Sequence, residues 1–332
     1  MIFSNSEKNK IIKLSKKYND FVELSKLSGN SILELVMLGL DYKPAVADTI
    51  TYTKELKMNI PKIKELSQKL GLFFAISKYK YIVNSPRGIF EEISLDDPRE
   101  GKIIFSYSKT KDKAEKGAVY YHEKMLNSEY GYKFGKLMGY PECCLQFGNY
   151  LNNNNQDPNN FGFKNPAVES LKRSYHFDWR LNIFTNSPLP YYPCSLTCAK
   201  SIEYVERLLF AFSILDSDIS DFLKKILSEP VSLYWTCADR IFLYGDFKQP
   251  ILGQGEIKYE RIEVWLSSKT FYQAVDKNQI KKWNLIAEYL KKGNRLVVND
   301  KFIKIYFNRE KIFEVAKENK YIPILIKPDI LP

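Results

Sequence analysis

Along the first third of the chain, apolar residues recur every three or four positions, the period of a helix that buries one face. Ile11, Leu14, Tyr18, Phe21 and Leu24 form such a stripe and predict a helix over 10–26. Ser31 stands at an N-cap position with Glu34 three residues on, so a capping box and a short apolar helix through Leu40 are expected. Pro61 predicts the opening of another helix, ending at Gly71. Aromatic and β-branched content predicts strands over 73–83 and 103–107, with a turn at Pro86-Arg87-Gly88. Helical spacing returns over 112–126, with Ala114, Ala118, Tyr121 and Met125 on one face. His122, Glu123 and Lys124 fall on the polar side, and His122 reads as solvated.

Beyond residue 130 the texture changes. Gly131, Gly135 and Gly139 fall every four residues, which in a helix interior costs about 1 kcal/mol each. Such spacing means either a loop or a helix that something approaches closely. The polar run 152–160 predicts a loop, and Asn165-Pro166 the opening of a short helix through Ser174. A strongly amphipathic helix follows, with Cys198, Ile202, Val205, Leu209 and Phe212 on its apolar face and a continuation toward Ile226. After Pro230 the pattern favours strands at 231–235, 240–244 and 257–265. A helix follows with Ile280, Trp283, Ile286 and Leu290 on one face. Residues 295–298 and 302–307 read as a hairpin around Asn299-Asp300, and 321–326 as a last strand. The expected class is α+β, with no regular βαβ alternation. The expected divisions are a helical and mixed region over 1–130, a cysteine-containing helical core over 131–229 and a β-rich lobe over 230–332.

Composition narrows the function classes. The 332 residues are 45% apolar and 27% charged, ordinary for a globular protein. No apolar run approaches the roughly 20 residues that span a bilayer, and no secretory leader is evident, so no membrane association and a cytoplasmic location are expected. The net charge of +11 invites a nucleic-acid partner. Its distribution weakens that reading: residues 1–80 and 231–332 each carry +6, whereas residues 141–230 carry −2. Most of the excess is lysine, with no arginine cluster suited to bidentate phosphate contacts. No phosphate-binding glycine loop, H-E-x-x-H or G-x-S-x-G is present.

Four of the five cysteines lie in two short motifs, Gly139-Tyr140-Pro141-Glu142-Cys143-Cys144 and Pro193-Cys194-Ser195-Leu196-Thr197-Cys198. Each pair follows a proline suited to a helix start, where outward-facing N–H groups favour thiolates. Pro193 predicts a helix that places Cys194 in its first turn and Cys198 on the same face one turn later. Two converging helix N-termini carrying Cys143, Cys144, Cys194 and Cys198 would suit zinc or an iron–sulfur cluster. The spacing matches no standard zinc ribbon. A redox couple of Cys143 or Cys144 with Cys194, and simple packing of buried thiols, stay open beside the metal reading. Cys237, in a predicted strand, is assigned to packing. Glu142 and His176 are candidate acid–base groups, with Asp178 placed to orient His176. Ser201 and Asn182 are candidate hydrogen-bond donors to the site.

The paired motifs resemble those of an uncharacterised family of archaeal and bacterial proteins, known as a domain of unknown function. The likeness covers roughly residues 130–215. It implies that the two motifs belong to one site. Tyr191 and Tyr192 stand where that pattern often carries a histidine, which argues against a His-containing ligand set. The expected function is a cytoplasmic metalloprotein with a Cys-lined site, an enzyme being favoured and its small-molecule or peptide substrate unspecified. The alternatives are a nucleic-acid-binding or -modifying accessory protein and an interaction module with structural cysteines.

Overall fold

The computed structural model describes residues 3–83, 90–126, 129–154, 169–170, 173–174, 176–185, 187–229, 233–236, 239–251, 254–265, 277–299 and 301–316. The fold is α+β with two antiparallel sheets, and the chain divides into two compact units. The first comprises residues 1–156 and 199–222, and the second residues 157–198 and 223–332. Among the described residues no helix is long and apolar enough to cross a membrane.

The first unit is built on β5 (Lys102–Ser108). Residues 103–108 of this strand are all buried, because it lies inside its sheet. On one side β1 (Ala45–Thr51) pairs with it along seven residues, from Ala45 opposite Ser108 to Thr51 opposite Lys102. On the other, β2 (Phe73–Ile76) pairs with its second half and β3 (Lys80–Val83) with its Lys102 end. The single strand expected over 73–83 is therefore two strands, and β4 (Phe90–Ile93) closes the sheet against β3. β1 had no clear signature in the sequence, since its small and polar residues alternate weakly. Residues 84–89, with the expected turn, lie outside the described residues.

The helical stripe over 10–26 also divides, into α1 (Asn5–Ser15) and α2 (Tyr18–Ser28). The apolar positions Ile11, Leu14, Phe21 and Leu24 are buried as the spacing requires. The break arises because the two halves serve different partners: α2 packs on α3 (Ile32–Gly39) and α4 (Lys54–Lys69), α1 on α8 (Ala199–Leu215). Ser31 makes no side-chain cap, so the expected capping box does not form. Glu34 instead pairs with the buried Lys43. α4 begins seven residues before Pro61, where Thr53 Oγ1 accepts from Leu56 N at 3.1 Å. Pro61 is tolerated inside the helix on its exposed side, and Gly71 follows the helix end at φ +75°.

α5 (Lys111–Leu126) lies across β1, β2 and β5, with Ala118 packed on Ile104 and Tyr81. Its predicted polar side is not solvated. His122 contacts Glu92, and its ring centroid lies 6.2 Å from that of Tyr81. Lys124 is half-buried, with Nζ 3.6 Å from the ring centroid of Tyr121 and 3.8 Å from that of Phe134. Burial pushes its pKa down to about 8, against the opposing pull of the Asp48 and Glu34 carboxylates. The unfolded chain then binds more protons than the folded one between about pH 8 and the ordinary lysine value near 10.4, so stability rises with pH in that window. Between about pH 7.5 and about pH 8.8 the expected gain is about 1 kcal/mol; at higher pH the tyrosines whose pKa is raised in the fold begin to oppose it. Urea unfolding at both pH values tests this: Lys124→Met should flatten the rise, and an unchanged rise would assign it elsewhere.

In the second unit β6 (Leu233–Thr236), β7 (Asp239–Ile251), β8 (Gln254–Trp265), β9 (Arg295–Val298), β10 (Phe302–Phe307) and β11 (Glu310–Ala316) form one sheet in reverse sequence order, β11 to β6. α10 (Lys277–Lys292) buries Trp283, Ile286 and Leu290 against Ile241, Leu243, Ile257 and Ile305, as its stripe predicted. The expected β9–β10 hairpin is present, with Asn299 Oδ1 accepting from Lys301 N and Phe302 N. The last expected strand, 321–326, and Cys237 lie outside the described residues.

Candidate metal centre

The first cysteine motif is positioned by a tight helix pair. α6 (Glu129–Leu137) ends in a Schellman turn, in which Tyr140 N donates to Gly135 O at 3.0 Å and Gly139 takes φ +78°. Pro141 follows at once and starts α7 (Glu142–Asn154), Leu145 N donating to Pro141 O at 3.0 Å. The two helices pack so closely that a Cβ on Gly135 would stand 2.3 Å from Leu145 Cδ2. Gly135 therefore marks a helix under close approach, and Gly139 the turn that ends it. Cys143 and Cys144 fall in the first turn of α7 as expected. The helix continues through Asn154, taking in the first part of the polar run, while residues 155–160 lie outside the described residues, as does most of the expected helix over 165–174.

The second motif departs from the expectation. No helix begins at Pro193; residues 193–198 form a turn and α8 starts at Ala199. The thiols of Cys194 and Cys198 are brought together by this turn, in which Cys198 N donates to Ser195 O at 3.2 Å. The turn is pinned at Leu196, which is fully buried. Its N donates to Ser174 Oγ at 2.6 Å, and its O accepts from Asp178 N at 3.2 Å. Cys198, not Cys194, is the residue next to a helix N-terminus. The sequence could not separate these cases, because a proline followed by small and polar residues suits both a first helical turn and a tight loop.

The N-terminal turns of α7 and α8 meet where Cys144 Sγ lies 3.5 Å from Ser201 Oγ, both groups being buried. The sulfurs of Cys143, Cys144, Cys194 and Cys198 all lie within 4.8 Å of one another. Those of Cys143 and Cys144 are 3.9 Å apart. A tetrahedral ion bonded to sulfur at about 2.3 Å requires sulfur–sulfur edges of about 3.8 Å. The donor set therefore fits one metal ion with little movement. Cys144 and Cys198 are buried, Cys194 is half-buried and Cys143 faces solvent.

The other expected residues take varied places. Ser201 reaches the cysteines as anticipated. Asn182 is fully buried, but its Nδ2 donates to Leu227 O at 3.0 Å and Glu229 O at 2.9 Å, securing the end of α9 (Ser217–Ser228). Glu142 is exposed and accepts from Tyr132 Oη at 2.6 Å and Gln146 Nε2 at 3.2 Å. His176 is half-buried. Asp178 bonds Arg180 with both carboxylate oxygens, at 2.8 and 2.6 Å, and so fixes the turn Trp179–Leu181.

Comparison of the chain with family models, with curated proteins and with solved structures yields no match in any of the three. Four clustered cysteines able to hold a metal ion are the chemistry that the fold defines.

Proposed function

We propose that Cys143, Cys144, Cys194 and Cys198 bind a single zinc ion as thiolates and that the ion organises the two motifs into one structural centre. The observation that carries this reading is the mutual distance of the four sulfurs, all within 4.8 Å. An iron–sulfur cluster interposes several iron and sulfide atoms between its ligands and needs them further apart, which favours a mononuclear ion. Four protein ligands close a tetrahedral shell, the pattern of structural zinc, whereas catalytic zinc keeps one position open. The first turns of α7 and α8 help to offset the charge of four thiolates. Any enzymatic role at the centre, with Glu142 or His176 carrying protons, would require one cysteine to leave the metal.

The experiment is elemental analysis of protein purified without oxygen. About one zinc per chain is expected, with no visible absorption. A band near about 400 nm with stoichiometric iron would replace zinc by thiolate-bound iron. Absence of both metals would sink the proposal and leave the cysteines as packing or redox groups.

A further inference from the structure

The four thiolates of the zinc centre are unequally placed. Cys144 and Cys198 are buried, Cys194 is half-buried and Cys143 is exposed. The two more accessible sulfurs come from different motifs, one in the first turn of α7 and one in the turn ahead of α8. A bound metal keeps its cysteine ligands deprotonated, and the thiolate is the form of sulfur that peroxides oxidise. Exposure selects Cys143 as the sulfur an oxidant meets first. A second thiolate is within reach, since all four sulfurs lie within 4.8 Å of one another.

Backbone placement selects which one. Cys144 is adjacent to Cys143 in a helical turn, where consecutive Cα atoms stand about 3.8 Å apart, short of the roughly 4.4 Å that a disulfide ordinarily needs. Cys198 is held on both sides, by Leu196, whose N donates to Ser174 Oγ at 2.6 Å, and by α8, which starts at Ala199. Cys194 lies ahead of that pin, in chain with no regular structure. It is the sulfur freest to move to the bonding distance of about 2.05 Å.

We propose that Cys143 is the peroxide-reactive residue of the centre and that its oxidation ends in a Cys143–Cys194 disulfide that expels the metal. The proposal rests on the zinc reading above. In the first step the Cys143 thiolate attacks one oxygen of hydrogen peroxide, the O–O bond breaks, and the sulfur becomes a sulfenic acid as hydroxide leaves. In the second the Cys194 thiolate attacks the Cys143 sulfur, the S–O bond breaks, and a second hydroxide leaves as the disulfide forms. Two thiolates have then lost two electrons and one peroxide has gained them. Zinc keeps only Cys144 and Cys198, and with half of its shell gone it dissociates. A dithiol reductant reverses the change by thiol–disulfide exchange. The disulfide joins the same two motifs as the metal did, so oxidation removes zinc without untying them.

The test starts from the full chain with its zinc content measured. Hydrogen peroxide is added in the presence of a colorimetric zinc chelator, dimedone traps sulfenic acid at early times, and peptide mass spectrometry maps the disulfides formed. Dimedone is expected on Cys143 about tenfold above every other cysteine. Zinc should leave in step with the Cys143–Cys194 disulfide, about tenfold faster than with the chelator alone, and return when dithiothreitol and zinc are supplied. First labelling at another cysteine, a different pairing, or release no faster than with the chelator alone would overturn the proposal. A chain that holds no zinc at the outset would sink the zinc reading, and this proposal with it.

Discussion

Replacing Cys198 by serine is expected to abolish stoichiometric metal binding and to lower the unfolding free energy by about 3–5 kcal/mol. Cys198 is the most telling of the four because it is buried and immediately precedes α8. Serine is close to cysteine in size, so the loss cannot be assigned to a large cavity. A hydroxyl is a poor ligand beside three thiolates, and without a metal those thiols must protonate or repel one another. Structural zinc contributes on the order of 10 kcal/mol of binding free energy in small domains, so losing one ligand can exceed any packing effect at this position. The control is the metal-stripped wild type. If the metal carries the effect, Cys198→Ser should cost little more once the metal has been removed, a coupling that a cycle of four unfolding measurements reads directly. Equal loss with and without metal would mean that Cys198 acts through packing alone. Metal content unchanged in the variant would remove it from the ligand set.

Gly245→Ala should produce the largest effect of any single methyl group added to the second unit. A Cβ at this position would lie 2.0 Å from Lys258 O, 2.9 Å from Lys258 C and 2.7 Å from Tyr259 Cα. All three are backbone atoms of the paired strand, so no rotamer change relieves the overlap. The register of β7 and β8 shifts between Tyr244 and Gly245, where the strands cross closely at a bulge. Opening them moves Tyr259, which is buried in the core beneath α10 and whose hydroxyl donates to Leu290 O at 2.7 Å. Alanine ordinarily gains a few tenths of a kcal/mol over glycine through the unfolded state, but that gain is small beside a backbone clash. A net loss of about 3 kcal/mol is expected, at the upper end of overpacking effects. Thermal unfolding of the variant measures it, and a melting temperature equal to that of the wild type would contradict the close crossing.

Elements with one buried face were legible wherever their own residues satisfied that face. The stripe Trp283, Ile286 and Leu290 and the pairing of 295–298 with 302–307 needed only local spacing and a turn. The division of the helix over 10–26 was not legible, because one continuous stripe serves two partners that come from distant parts of the chain, α8 and α4. Pro61 misled for a related reason: its position on an exposed side of α4, decided by packing, makes a missing N–H tolerable. The polar reading of His122 and Lys124 failed because α6 and β4 supply Phe134 and Glu92 to that side of α5. A tyrosine three residues before the lysine was the only local hint.

For the cysteines, residue chemistry and local turns went far by themselves. Gly139, Pro141 and the spacing of Gly135 dictate a tight helix pair that ends with Cys143 and Cys144 in a first turn. The two motifs also announce four soft donors. What only tertiary structure decided is their mutual distance, and with it the difference between four unrelated thiols and one tetrahedral site. That distance depends on Ser174 and Asp178 pinning the turn at Leu196, and on α7 and α8 meeting at Cys144 and Ser201. Contacts between residues 18 to 57 positions apart leave no periodic trace in a sequence, since they are satisfied by shape and burial and not by any local repeat.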